Sequence, residues 1–315
     1  MFGLALAVAS AFAFGTSGTL VKPMLDGGWS PAAVVIVRAL LGGFILVPPT
    51  LVALRGRWQA VWAARWRIAG MGLVGVAGTQ YLYFASLQSI PVSTALLIEY
   101  LAPVLLVAVA WVLTRHRPPA PVLVGGGLAI GGLILVIGPG ALLPPDFVGT
   151  LYAFGATVGC ALYFVIAARD SRGLPAIALA CFGLLLGGLA LIALAAARLL
   201  TVEISYAQVA MLGGEFAWWV PVVLIAVIPT AFAYVAGITG AQLVGSRIAS
   251  FVGLLEVVVA SLLAWALLGQ SLTPLQLVGG AVLIGGIVAV RAGSRDRSSD
   301  LDAIAADEPA RSAAL

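Results

Sequence analysis

Hydrophobic positions run along this chain in stretches of about twenty residues, separated by short clusters of turn residues and charges. Each stretch is long enough to cross a hydrocarbon core of about 30 Å as a helix. A membrane barrel would instead show strands of about ten residues with alternating polarity. Punctuation by Gly, Pro and charge divides the chain into ten spans, at about 3–22, 31–54, 68–88, 92–113, 119–138, 148–168, 175–197, 217–238, 247–269 and 274–291. The opening "MFGLALAVASAFAFG" has the apolar core of a secretory signal, but no Lys or Arg precedes Lys22, so it reads as the first span.

Composition agrees. The 315 residues are 62% hydrophobic and 9% charged, against about 45–50% and about 25% in soluble domains. Charge placement sets orientation. With a cytoplasmic N-terminus, thirteen of the sixteen Lys and Arg fall on the inner side, Lys22 and Arg198 fall outside, and Arg38 lies within the membrane. That asymmetry predicts both termini in the cytoplasm and explains the net charge of +4 without a nucleic-acid partner. "RGRWQAVWAARWR" at 55–67 reads as an interfacial anchor, and Arg198 to Trp219 as its counterpart. The absence of Asn and the single Lys point to a high-GC bacterium, hence its inner membrane. Residues 292–315 are polar and of mixed charge, the composition of a disordered cytoplasmic tail.

Sliding the chain against itself by 154 positions superposes "LVGG" at 123–126 on "LVGG" at 277–280, "IGG" at 130–132 on "IGG" at 284–286, Trp111 on Trp265 and Gln88 on Gln242. This predicts two five-span repeats, 1–138 and 147–291, joined by a loop at 139–146. An odd number of spans per repeat turns the second half upside down, the architecture of carriers that rock about a midplane site. The pairs Gly127/Gly131 and Ala281/Gly285 have the small-residue spacing that lets helices approach closely.

No catalytic pattern competes with transport. The single histidine, His116, lies between Arg115 and Arg117; there is no phosphate-binding Gly loop followed by Lys, no zinc spacing and no G-x-S-x-G. The reading is therefore of a non-enzyme without cofactor or metal, whose partners are a small-molecule substrate, the lipid bilayer and protons. Cys160 and Cys181 sit in apolar runs and read as inert core residues.

"YFASLQSIPVSTALLIEYLAPVLLVAVAWVL", the following "LVGGGLAIGGLILV", and their partner "SFVGLLEVVVASLLAWALLGQSLTPLQLVGGAVLIGGIVAV" resemble the EamA family of the drug/metabolite transporter superfamily. The resemblance covers about residues 3–291. It implies a ten-span carrier of the cytoplasmic membrane, often an exporter of amino acids or other small metabolites, with a central cavity built mainly from spans one to four and six to nine. Where many members carry Glu after the fourth and ninth spans, this chain has His116 and Gln270.

Three formal charges fall well inside spans: Arg38, Glu99 and Glu256. Each costs about 2.5–3.5 kcal/mol at the bilayer centre on insertion scales, and such groups face a bundle interior or a wet cavity. Arg38 reads as the partner of a substrate carboxylate or as a structural pair. Under the 154 offset Glu99 maps to Gly253 and Glu256 to Ala102, a separation of three that keeps both carboxylates on one helical face. They read as proton-coupling or cation-recognising groups, or as paired glutamates that fix helix register. Pro103 denies a donor to the carbonyl of Glu99, which predicts a bend there and makes Glu99 the first choice for coupling. Gln80, Tyr81, Tyr100 and Tyr234, with Ser10, Thr16, Ser17, Tyr83 and Tyr163, would complete a polar, aromatic pocket.

The sequence thus predicts an all-α membrane protein of ten helices in two inverted repeats. Its expected work is secondary active transport, exporting amino-acid-like or other small amphipathic metabolites by alternating access, with proton coupling. The alternatives are an uncoupled facilitator or exchanger on the same fold, and a membrane-embedded lipid-handling enzyme or assembly subunit.

Overall fold

Glycine, proline and short polar side chains decide where the helices begin, break and touch. The computed structural model describes residues 1–90, 92–138, 146–169, 173–211, 213–268 and 272–312, with side chains for all of these but 92, 93, 268 and 294–312. Among the described residues nine helical runs are long and apolar enough to cross a membrane, and Leu255–Leu267 forms a shorter apolar helix.

The first run joins α1 (Phe2–Gly15) to α2 (Ser17–Asp26), and the second is α3 (Pro31–Ala53). Next come α4 (Trp58–Ala63), α5 (Arg65–Ala69), a π-helical stretch Gly70–Gly78 and α6 (Thr79–Ser86). The fourth span is interrupted between α7 (Val92–Glu99) and α8 (Ala102–Thr114); α9 (Ala120–Ile137), α10 (Phe147–Ala168) and α11 (Ala176–Ala196) follow. A hairpin of β1 (Val209–Met211) and β2 (Gly214–Phe216) precedes α12 (Trp219–Ala226), a second π-helical stretch Val227–Phe232 and α13 (Ala233–Gly253). The chain ends in α14 (Leu255–Leu268) and α15 (Pro274–Ser312). Helical backbone thus continues through the polar segment whose composition marks a disordered tail, a segment rich in the strong helix former Ala. The loop 139–145 and Gln270 lie outside the described residues; Asp146 caps α10, its carboxylate accepting from Gly149 N–H at 3.0 Å.

The eighth and ninth predicted spans meet without a loop. Gly245 sits at φ 82°, ψ 161°, a conformation open to glycine, and there the chain turns back. Ala233 is held at Ser10, Gly240 packs on Ala7 and Leu243 lies against Gly3, yet Val259 is again level with Gly15.

Two ends of the bundle differ. At one, Trp58, Trp62 and Trp66 recur at helical spacing and stay exposed, while the Arg65 guanidinium stacks 4.9 Å over Trp62 and 5.6 Å over Trp66. Arg67 reaches in from this segment and donates to the carbonyls of Ile166 and Ala167, capping α10. The segment from Arg198 to Trp219 carries the β-hairpin, and Ser30 ties the backbone at 201–203 to the start of α3. The Ser30 hydroxyl donates to Thr201 C=O and accepts from Glu203 N–H, both at 3.0 Å, and accepts from Ala33 N–H at 3.2 Å.

The densest packing pairs α1 with α13, α3 with α11, α6 with α10, and α9 with α15. Contacts recur between positions a fixed offset apart. Gly125 lies against Gly286 and Gly132 against Gly279, and each glycine of one pair is 154 residues from a glycine of the other. In the same way Gly43 lies against Leu185 and Gly188 against Leu40. The glycines singled out by spacing are different ones: Gly127, Gly131 and Gly285 have no atom within 4 Å of where a Cβ would stand. The tight face is one register step away, where a Cβ on Gly125 would come 2.7 Å from the Gly286 carbonyl oxygen.

Gly125→Leu and Gly279→Leu should therefore destabilise the purified protein by about 1–3 kcal/mol through overpacking, whereas Gly127→Leu and Gly131→Leu should leave thermal unfolding in detergent nearly unchanged.

Candidate functional site

Interrupted helices bring three charges together. In the fourth span, backbone bonds run from Tyr100 N–H to Leu96 and from Leu101 N–H to Ile98, then resume with Leu105 N–H on Leu101. Pro103, at the start of α8, offers no N–H to the carbonyl of Glu99. Glu99 is thus the last residue of α7 and Tyr100 lies in the gap. The Thr157 hydroxyl donates to the Ile98 carbonyl at 2.7 Å, compensating part of the loosened turn.

The ninth span breaks at the matching place without any proline. Leu254 N–H bonds Phe251 and Val257 N–H bonds Leu254, both three residues back, between α13 and α14. Proline is therefore not the common cause of the two breaks. Glu256 stands in the first turn of α14, where free backbone N–H groups favour an anion, and it lines the same cavity as Tyr100. The three-residue stagger puts one glutamate before its break and the other after it.

Spans three and eight carry a second matched irregularity. The hydroxyls of Thr79 and Thr230 donate to carbonyls five residues back, Val74 at 2.9 Å and Ile225 at 2.8 Å. Thr79 caps the end of its π-helical stretch and Thr230 lies within its own. An offset of 151 superposes these threonines and also Tyr83 on Tyr234, both of which face the interior.

Arg38, Glu99, Glu256, Gln80, Tyr100, Tyr234 and Pro103 all line one cavity of about 300 Å³. Arg38 is steadied by Ser17, whose Oγ accepts from Nη1 at 3.2 Å. Ser10 also lines the cavity, its hydroxyl donating to the Ala233 carbonyl at 2.7 Å; Thr16 turns instead to Ala13 C=O. The aromatic wall is a chain of edge-on rings: Phe14 to Tyr234 at 5.4 Å, Tyr234 to Tyr163 at 5.8 Å and Tyr163 to Phe164 at 5.2 Å.

Arg38, Glu256, Gln80, Tyr83 and Tyr100 also wall an adjoining vestibule of about 630 Å³, which reaches Lys22 and Gln276 at the hairpin end. Glu99 lines the inner cavity and not the vestibule. Among the described residues the one ion pair, Lys22 with Asp26 at 3.1 Å, lies at that mouth; Arg38, Glu99 and Glu256 form none with one another. Nor do the described residues hold a cluster of His, Cys, Asp and Glu fit for a metal ion.

Tyr81 is not brought to this site. It lines a separate depression of about 440 Å³ at the hairpin end with Ser30, Tyr152 and Arg198. Cys160, read as a core residue, stands in the cavity wall with Tyr163 and Phe164, at helical spacing on α10. Cys181 is buried, its thiol donating to the Gly43 carbonyl.

Comparison with known proteins gives a consistent answer. Residues 1–138 and 147–292 each match the EamA-like transporter family. An uncharacterized transporter of Archaeoglobus fulgidus is 26% identical over 291 residues, covering 91% of this chain and 95% of that protein. The uncharacterized transporter YwfM of Bacillus subtilis is 26% identical over 292 residues, covering 92% of this chain and 94% of its own length. A protein of known crystal structure superposes with a TM-score of 0.72 at 20% identity, over 91% of this chain and 96% of that one, and shares the fold.

The cysteine geometry makes a prediction. A small water-soluble methanethiosulfonate reagent should modify Cys160 in the folded protein and leave Cys181 untouched, as read by intact-mass spectrometry of the wild type and of Cys160→Ala.

Proposed function

Because the chain belongs to the EamA-like transporter family, we propose that it is a secondary active transporter exporting amino-acid-like or other small amphipathic metabolites by alternating access, with proton coupling through Glu99 and Glu256. The observation that carries this reading is the convergence of Arg38, Glu99 and Glu256, from three helices, on one cavity beside two broken spans. Half-helix ends at the middle of a bundle are where carriers meet charged cargo and coupling ions.

The same reading takes the chain as ten spans in two inverted repeats. The reciprocal glycine contacts of α9 with α15, the matched breaks and the paired π-helical stretches support it. It places the protein in a bacterial inner membrane with both termini cytoplasmic, since the Lys and Arg gather at the end opposite the hairpin. The vestibule then opens outward, past Lys22.

The test is transport by the purified protein in vesicles under an imposed pH gradient. Glu99→Gln or Glu256→Gln should abolish the response of flux to the gradient, about a 5- to 150-fold loss for a coupling free energy of about 1–3 kcal/mol. A full response in both variants would refute coupling through these residues, and wild-type flux indifferent to the gradient would mark an uncoupled facilitator.

A further inference from the structure

The charge inventory of the cavity says more about the cargo than its shape does. One guanidinium and two carboxylates face the space, and the three form no ion pair among themselves. The titratable or charged groups around the carboxylates are Arg38, Tyr83, Tyr100, Cys160, Tyr163 and Tyr234. With the phenols and thiol neutral, Arg38 and both ionised glutamates leave one negative charge over.

Resting on the transport reading above, we infer that the cargo carries one carboxylate and two cationic nitrogens, as a diamino acid such as lysine or ornithine does, and that this cargo and a single proton occupy the cavity in alternation.

The argument is electrostatic. An uncompensated charge in a low-dielectric interior is expensive, so the occupancies that cross the membrane are those in which the cavity is neutral overall. The empty cavity reaches neutrality with one proton on a carboxylate. A ligand of net charge +1 reaches it with none. A neutral amino acid brings no net charge, so it must share the cavity with that same proton on both legs of the cycle and gains nothing from a proton gradient.

Placement agrees with this division. Arg38 stands at the neck between vestibule and cavity, held by Ser17, and its planar fork suits a carboxylate. Glu99 lies deeper, at the C-terminus of α7, where the carbonyl that Pro103 leaves without a donor adds an acceptor for an ammonium. Glu256, at the α14 N-terminus, lines both the cavity and the vestibule and supplies the second anion. Tyrosine rings between them cover an aliphatic stem. Exchange of one monocation for one proton moves no net charge, so it responds to a pH gradient and not to voltage.

The probes are lysine, Nε-acetyl-lysine, which keeps the zwitterion but loses the second cation, and cadaverine, which keeps both cations but loses the carboxylate. With the full chain in vesicles, an imposed pH gradient should drive lysine at least about tenfold more strongly than Nε-acetyl-lysine, with no effect of a potassium–valinomycin potential. Glu256→Gln and Glu99→Gln neutralise the cavity and should shift the preference toward Nε-acetyl-lysine, while Arg38→Gln should shift it toward cadaverine. Lysine should also shield Cys160 from a thiol reagent, with the unreactive Cys181 reporting that each variant is folded. Nε-acetyl-lysine driven as steeply as lysine in the wild type, or a lysine preference unchanged in both Gln variants, would overturn the inference. If no probe crosses the membrane or shields Cys160 in the folded protein, the transport reading for amino-acid-like cargo falls with it.

Discussion

A backbone carbonyl or N–H inside a bilayer must find a partner within the protein, and a helix is the cheapest way to provide one. Four spans of this chain carry a local exception to that rule. The fourth and ninth spans give up helical bonds around Glu99 and Leu254, and the third and eighth take on a wider turn at Thr79 and Thr230. All four exceptions face the protein interior, and three of them wall or adjoin the charged cavity. Short hydroxyl side chains make them affordable: Thr79, Thr157 and Thr230 each donate to a carbonyl of a loosened turn.

Irregular helices need rigid neighbours, and glycine supplies them. Where Gly125 and Gly132 meet Gly286 and Gly279, and where Gly43 and Gly188 receive Leu185 and Leu40, helices sit too close for a side chain between them. Such contacts make up for the weak hydrophobic drive between helices in lipid. They leave the inner ends of α7 and α14, with their carboxylates, as the polar part of an otherwise close-packed bundle.

Much of this was legible in the sequence. Hydropathy is a one-dimensional property, so the all-helical membrane class, the exposed Trp–Arg segment and the three costly charges could be read directly, and the 154-residue offset brought Glu99 near Glu256. What could not be read depends on which face of a helix meets a neighbour. "GGGLAIGG" contains both packed and lipid-facing glycines one position apart, and only the partner helix separates Gly126 from Gly127. Tyr81 and Tyr83, two residues apart, point to different spaces for the same reason. Cys160 looks like any small residue in an apolar run until α10 turns it toward the cavity. The break at Leu254 has no proline to announce it, because Leu254 and Val257 simply bond three residues back instead of four.

The paired π-helical stretches have a mechanical meaning as well. Each holds an extra residue for the rise it covers, a dislocation in an otherwise regular lattice of hydrogen bonds. A dislocation travels by trading one bond for the next, so it lets a helix rotate or slide past its neighbours without ever unravelling. With a π-helical stretch at Gly70–Gly78 and another at Val227–Phe232, two spans take in an extra residue while Thr79 and Thr230 still give a carbonyl five residues back a hydroxyl partner.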